Sequence, residues 1–440
     1  MLRIFDAKTA RSTFLVRQGL DDTPLTPALQ ESINRMFGEP LTPSQVVDRI
    51  LMDVRERADA ALRDWTIKLD GSAPDTFRVP VVALDAALDS LEPGLVAALK
   101  LSAERVRRFH QAQPVTSWVT QALGGTLGQL VRPIQRVGIY IPAGSAPLPS
   151  SVLMSAIPAQ VAGVPEIVLI SPPQRGTGLI APVILAAAAL LGIKEVYAAG
   201  GAQAIAALAY GTPSIPRVDK IFGPGNLFVT LAKRQVYGMV GIDSLAGPTE
   251  TVVVADEHAR ADWVAADLLA QAEHDVLAAA ILLTPARGLI EKVELEIGRQ
   301  LEDRGRAEII RASLGNRSGA VLTEDLNEAL ELANFYAPEH LCLAVSDPWS
   351  WVDRVQSAGG IFIGENSFEV LGDYIAGPSH VMPTSGSARF ASPLNVLDFV
   401  HLISLVALDT GTTRKIAPAA AVIAQAEGLD AHANAARVRL

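Results

Sequence analysis

From residue 137 onward, short β-rich runs alternate with apolar helical runs, and this rhythm constrains the fold more than any other feature of the chain. The run "VGIYIP" leads into helical "SSVLMSAIPAQVAG"; "EIVLIS", "LIAPVILAAAALLG", "EVYAAGG", "AQAIAALAYG", "KIFGPG" and "NLFVTLAKRQVYG" follow in turn. These strand runs lack polar alternation, as strands do in a parallel sheet covered on both faces. They predict a doubly wound α/β domain. A second series opens at "TETVVVAD" (249–256). It runs through a helix at 261–274, strand "AAAILLT", helices near 287–314, strand "GAVLT", a helix at 324–336 and strands "LCLAV" and "GGIFIG". Gly247 and Pro248, in "SLAGPTE", separate the two series.

Residues 44–113 carry apolar residues at helical period, and the stretch from about 393 reads as helices to the C-terminus. No repeat of fixed period is visible. The expected fold class is therefore α/β, with two doubly wound Rossmann-like domains and small helical N- and C-terminal segments. The expected division is an N-terminal arm at 1–23, a first domain from 24–139 and 250–394, a second at 140–249, and a C-terminal helical arm at 395–440. A length of 440 residues fits this, since single cores stop growing at about 250–300 residues.

Charge and cysteine content narrow the partners. A net charge of -10 speaks against nucleic acid, which calls for clustered positive charge. The stretch "GLIAPVILAAAALLGI" (178–193) contains Pro182 and falls short of the ~20 apolar residues of a membrane span. "MLRIFDAKTARSTF" is too polar for a signal-peptide core. The lone cysteine, Cys342, permits no intramolecular disulfide and fits a reducing compartment, so a cytoplasmic location is expected. Within the apolar run "HLCLAV" it reads as a buried strand thiol rather than a nucleophile.

No G-x-G-x-x-G joins strand to helix, so a conventional dinucleotide loop is absent from the pattern. Short glycine turns close three strands instead: "IPAGSAP" (141–147), "AAGGAQA" (198–204) and "FGPGN" (222–226). Ligands of open α/β sheets bind beyond the carboxyl ends of strands, where these turns fall. Each alone also does no more than end a strand. Three in one sheet bring a nucleotide-like ligand level with the plain strand-ending reading.

Seven histidines leave few places for imidazole chemistry. In "AQAEHD", Gln271 and His274 stand three apart on an expected helix, so their side chains share a face and can converge on a metal, a substrate or water. In "YAPEHL", Pro338 stops a helix and Glu339-His340 follows before a strand; the corner can present a carboxylate and a base to a cleft, or be a solvated terminus. The Gly- and Pro-rich loop "LGDYIAGPSHVMPTSG" holds Asp373 and His380, whose types suit zinc at a spacing that is not diagnostic. His258 reads as part of a solvated turn, His110 and His401 as residues of ordinary helices, and His432, five residues after Glu427, as part of a solvated helix.

Together with "IYIPAGSAPLPSSVLMSAIPA", "GGAQAIAALAYGT", "DSLAGPTE", "AADLLAQAEHD", "GDYIAGPSHVMPTSGSARFASPL" and "AEGLDAHA", these stretches resemble the histidinol dehydrogenase family, in the family's order and over nearly the whole chain. The resemblance implies NAD-dependent four-electron oxidation of L-histidinol to L-histidine through histidinaldehyde. It implies one zinc ion (Zn2+) per subunit, held by Gln271, His274, Asp373 and His432, in an intertwined homodimer whose C-terminal arm carries His432 and Glu427 across to the second subunit. It implies His340 as the base that takes the alcohol proton and Glu339 as the base that activates water. Tyr140, Gln203 and Asn226 match NAD-contacting positions, one on each glycine turn. Thr249, Gln271, His274, His340, Asp373, His380, Glu427 and His432 match substrate-binding ones.

Three departures stand out: Thr249 where the family commonly has Ser, Ser379 where it has Asn, and Ala143 where it has Gly. Thr249 keeps a hydroxyl; Ser379 adjoins His380 and can alter its orientation; Ala143 requires that its turn not need a positive φ. The nearest rival is a paralogous zinc-dependent dehydrogenase of another small alcohol, such as a sulfonated diol, against which Glu427 and His432 argue. An idle metal-binding scaffold and a zinc hydrolase need no nucleotide cleft, so the glycine turns and Asn226 disfavour both. An aldehyde dehydrogenase using Cys342 is disfavoured by that thiol's expected burial.

Overall fold

The computed structural model describes residues 2–17, 19, 27–143, 146–302 and 304–440. The expected boundary between residues 23 and 24, and Gly144 and Ser145 of the first glycine turn, lie outside them. Strand β1 (Ile4–Asp6) opens the chain, and helices fill most of 27–111. Strands β2 (Trp118–Thr120) and β3 (Thr126–Pro133) come next. The first series then supplies β4 (Arg136–Tyr140), β5 (Glu166–Ser171), β6 (Glu195–Ala198), β7 (Lys220–Phe222) and β8 (Gly241–Ile242). The second supplies β9 (Glu250–Ala255), β10 (Ala279–Thr284), β11 (Gly319–Leu322), β12 (His340–Ala344) and β13 (Gly360–Ile363). The last strand is β14 (Val400–Ala407).

Both series form parallel sheets, in the orders β6-β5-β4-β7-β8 and β1-β11-β10-β9-β12-β13. Each sheet starts near its middle, builds to one side and then returns to build the other. The order therefore reverses between β4 and β7 in one sheet and between β9 and β12 in the other, giving each a topological switch point. Every residue of β9, β10 and β12 is buried, which explains their unbroken apolar runs. The doubly wound expectation holds for both series. Among the described residues no helix is long and apolar enough to cross a membrane.

Five strands escaped the sequence reading, among them the two-residue β8 beside β7. β1 extends the six-stranded sheet by pairing with β11, and β14-β3-β2 form a separate antiparallel sheet. The C-terminal segment thus begins with a strand before its helices Thr410–Ala426 and Asp430–Arg437, and His401 lies on β14 rather than on a helix.

Helices within residues 43–89 pack on the five-stranded sheet. Helix Pro43–Arg57 starts at a capping box between Thr42 and Gln45, and buries Val46, Val47, Ile50, Leu51 and Val54 along one stripe. That stripe shares a core with helix Gly201–Tyr210 and strands of the five-stranded sheet. Leu84 and Ala87 pack with Val137, Ile139 and Ile184 on the other face of the same sheet. The apolar faces of these helices find their complement there, and β4 joins that sheet whole, from Arg136.

Candidate active site

Two neighbouring strands of the six-stranded sheet, β9 and β12, place the acid-base pair. Helix Leu326–Tyr336 ends at Ala337 in the left-handed region (φ 52°), and Pro338 turns the chain into β12. His340 is the first residue of β12 and pairs in register with Thr251 of β9. Glu339 thus sits at the amino edge of the sheet beside Thr249 and Glu250. The Thr249 hydroxyl donates to Glu339 Oε2 at 2.5 Å, and the Glu250 amide donates to the same oxygen at 3.0 Å. Gln271 Nε2 in turn donates to Thr249 Oγ1 at 3.0 Å. One hydroxyl therefore links the expected water-activating base to an expected metal ligand.

His340 is buried amid carboxylates. Its Nε2 lies 3.6 Å from Asp373 Oδ1, and its Nδ1 lies 3.8 Å from Glu339 Oε2 and 4.0 Å from Glu369 Oε1. Burial alone would push the imidazole down, but Glu369, Glu339 and Asp373 together raise it well above its ordinary value. Burial pushes Glu339 up to about 7, although His340, the Thr249 hydroxyl and the Glu250 amide pull the other way. Burial opposes ionisation of Asp373 too, yet contact with His340 holds it below the usual carboxylate range. Both adjacent residues are thus raised, Glu339 by burial and His340 by the carboxylates around it.

Glu250 itself serves the frame. Its carboxylate pairs with Arg17, at 2.7 Å from Nη2, and accepts from the Tyr336 hydroxyl at 3.2 Å, while Arg17 also donates to the Tyr336 carbonyl. The N-terminal arm so fastens the corner that carries Glu339.

Gln271 lies in helix Ala261–Ala272 but His274 lies beyond its end. A final tight turn, with the His274 amide donating to the Gln271 carbonyl at 3.3 Å, preserves their three-residue relation. Gln271 is buried and its Oε1 has no hydrogen-bond partner, while the His274 side chain is exposed. An amide whose nitrogen is spent on Thr249 and whose oxygen is left over fits a cation ligand. Asp373, near the end of helix Glu369–Tyr374, adds a carboxylate. Among the described residues no group of three His, Cys, Asp or Glu side chains is gathered for a metal, so a site here depends on the amide and on a further ligand.

Glu427 and His432 are not brought to this cluster within the chain. Both are exposed, at the end of helix Thr410–Ala426 and on helix Asp430–Arg437. His380 is at the cluster: its Nδ1 lies 2.7 Å from the Asp373 carbonyl oxygen and its Nε2 lies 3.3 Å from Ser151 Oγ. Ser379 Oγ accepts from the Val381 amide at 3.2 Å, so this departure turns onto its own backbone rather than onto His380.

The expected cofactor positions lie at the carboxyl edge of the five-stranded sheet. Tyr140 closes β4, buried, and its hydroxyl accepts from the Gly201 amide at 3.2 Å. Gln203 is fully buried with both amide atoms unpartnered. Asn226 caps helix Leu227–Val236, its Oδ1 accepting from the Phe228 and Val229 amides at 3.1 Å each. Gly223 has φ 106°, and a Cβ there would lie 2.1 Å from the Tyr140 carbonyl oxygen, so only glycine brings β4 and β7 together at their switch point. Among the described residues, Ala143 is not one of the three non-glycine residues with positive φ, and that departure is accommodated. Helix Pro149–Ala162, which follows β4, carries Ser151 to His380, and the Gly247 amide donates to Thr384 Oγ1 at 2.6 Å. The carboxyl edge of one sheet thereby faces the amino edge of the other.

Sequence reasoning missed Glu369, whose buried carboxylate has an unpartnered Oε2 beside His340. Its signal was its position four residues before Asp373, one helical turn away on the same face. The burial expected for Cys342 is found, and burial pushes its thiol well up, away from nucleophilic use. His258 is exposed and His110 is buried with Gln113 as partner.

A family model described as histidinol dehydrogenase matches residues 39–440. A histidinol dehydrogenase of Deinococcus radiodurans is 55% identical over 419 residues, covering 95% of this chain and 95% of that protein. The chain belongs to the histidinol dehydrogenase family. One from Thermus thermophilus is 52% identical, covering 90% of this chain and 95% of its own. The crystal structure of histidinol dehydrogenase from Elizabethkingia anophelis superposes with a TM-score of 0.90 at 35% identity, covering 99% of this chain and 97% of the other. As a member of the histidinol dehydrogenase family, the chain is an oxidoreductase, which removes the scaffold and hydrolase readings.

Proposed function

We propose that this enzyme oxidises L-histidinol to L-histidine through histidinaldehyde, with two molecules of NAD used in sequence, at the end of histidine biosynthesis. The observation that carries the reading is the buried Glu339-His340 pair, at an amino edge that faces the glycine turns of the second sheet. His340 takes the alcohol proton in the first oxidation. Glu339, once ionised, removes a proton from the water that adds to the aldehyde carbon, and His340 takes the hydroxyl proton of the resulting hydrate in the second. Thr249 steadies the ionised form of Glu339 through its hydroxyl. His380 stands at the substrate side of the cluster.

Gln203, with its unpartnered amide, and Tyr140 and Asn226 would hold NAD, which when bound supplies the hydride acceptor. Gln271, His274 and Asp373, with the partner subunit's His432, would hold zinc. Bound zinc supplies positive charge that orients the substrate nitrogens and offsets the pull of Asp373 on His340. Glu427 would reach the substrate from the second subunit along with His432.

The test is NADH formed per L-histidinol consumed by the zinc-loaded protein under excess NAD. Two equivalents with histidine as product are expected. One equivalent would overturn the role of Glu339, and none, with NAD still bound, would move the substrate to another small alcohol.

A further inference from the structure

The resemblance gives His380 a place at the substrate but leaves open what holds its ring. Its Nδ1 lies 2.7 Å from the Asp373 carbonyl oxygen. A carbonyl only accepts, so Nδ1 carries the hydrogen. In the neutral ring Nε2 then offers a lone pair, and the group within reach is the Ser151 hydroxyl, 3.3 Å away. Ser151 is itself buried, in the first turn of helix Pro149–Ala162, on the layer opposite the one that supplies Asp373.

We propose that Ser151 is the positioning residue for His380: the Asp373 carbonyl sets the tautomer, and the Ser151 hydroxyl donates to Nε2 and fixes the ring's orientation from the cofactor layer. Both ring nitrogens are then committed, one to each layer. The hydroxyl proton of Ser151 is spent on the imidazole, so the lone pairs of Oγ are what the serine keeps for a substrate N–H or O–H donor. A contact from the cofactor layer thereby sets the substrate side of the site. Ser379, the neighbour expected to influence that ring, does not touch it.

The proposal rests on His380 as a substrate-contacting residue, and its test has one readout that does not need turnover. With histidine labelled at the ring nitrogens, His380, assigned by its loss in His380→Gln, should show one protonated and one unprotonated nitrogen at well-separated shifts in the zinc-loaded enzyme. Ser151→Ala should move the unprotonated Nε2 resonance downfield, to that of a nitrogen with no donor on it, while the protonated Nδ1 stays in place, and Ser151→Thr, which keeps the hydroxyl, should bring it back. In kinetics, Ser151→Ala should raise KM for L-histidinol about fivefold to tenfold, the worth of one neutral hydrogen bond, with KM for NAD unchanged. An unchanged nitrogen pattern in Ser151→Ala overturns the proposal even if the enzyme's substrate proves to be another alcohol. The expected nitrogen shift without any effect on KM would overturn the substrate-side role while leaving the hydrogen bond from Ser151 to Nε2 standing.

Discussion

Thr249 occupies the one position where two lines of the site cross. Its hydroxyl has a single proton, donated to Glu339, and accepts from Gln271 Nε2. Removing it leaves a buried carboxylate and a buried amide short of a partner each, and losses of that kind run to about 1–3 kcal/mol. Thr249→Val keeps the shape and deletes the hydroxyl, so kcat for the full oxidation should fall about 10- to 100-fold, with KM for NAD unmoved. Thr249→Ser should stay near the parent. Equal activity of the Val and Ser variants in steady-state assays would show that the hydroxyl does no more than fill space. None of this was legible from spacing, since 90 residues separate Thr249 from Glu339. What spacing did reveal was the local pairs: Glu339 beside His340, and Gln271 three before His274. Glu369 went unseen because a glutamate opening a short helix looks solvated until a second strand buries it.

At the scale of elements, the runs that spelled themselves out were those buried on both faces, such as β9, β10 and β12. β1 is three residues long and gains meaning only when β11 pairs with it; β14 is largely exposed, so its apolar side chains gave no core period to read. The helix Ala261–Ala272 was found, but its last turn was read too long. That helix carries Asp267 one turn before Gln271, facing a small cavity lined by Cys342, Phe368 and Glu365. Burial, with Glu365 adding to it, pushes Asp267 up to about 7.

The consequence is a stability that depends on pH in a definite direction. Below about pH 4 both folded and unfolded chains hold the Asp267 proton. As pH rises from there, the unfolded chain releases it while the folded one keeps it, so stability falls until about pH 7 and then levels. Asp267→Asn, which mimics the protonated form, should therefore raise Tm over the parent by a margin that grows between about pH 4 and 7 and is nearly absent at the acid end. A margin that is constant with pH in thermal scans would mean that Asp267 is ionised in the folded enzyme.

The whole molecule poses the question that a single chain leaves open. The acid-base pair, Gln271, His274, Asp373 and His380 belong to one cluster, while Glu427 and His432 stand exposed on C-terminal helices that pack chiefly on each other. Those helices and β14 also present Leu402, Ile403, Val406, Ile416, Val422 and Ile423 to solvent, an apolar surface of the kind that protein contacts cover. An arm that crosses to a second copy would bury that surface and complete both clusters at once. Domain exchange of this sort makes a specific arithmetic. If Gln271→Ala and His432→Ala chains are unfolded together and refolded, half of the dimers are mixed, and each mixed dimer has one site with both ligands altered and one with both intact. Activity should then recover to about one-quarter of the parent's from two nearly inactive preparations. If instead every site were built from one chain, each site would still lack a ligand and mixing would restore nothing. Native mass spectrometry of the same sample, by counting mixed dimers, separates that outcome from a failure to exchange.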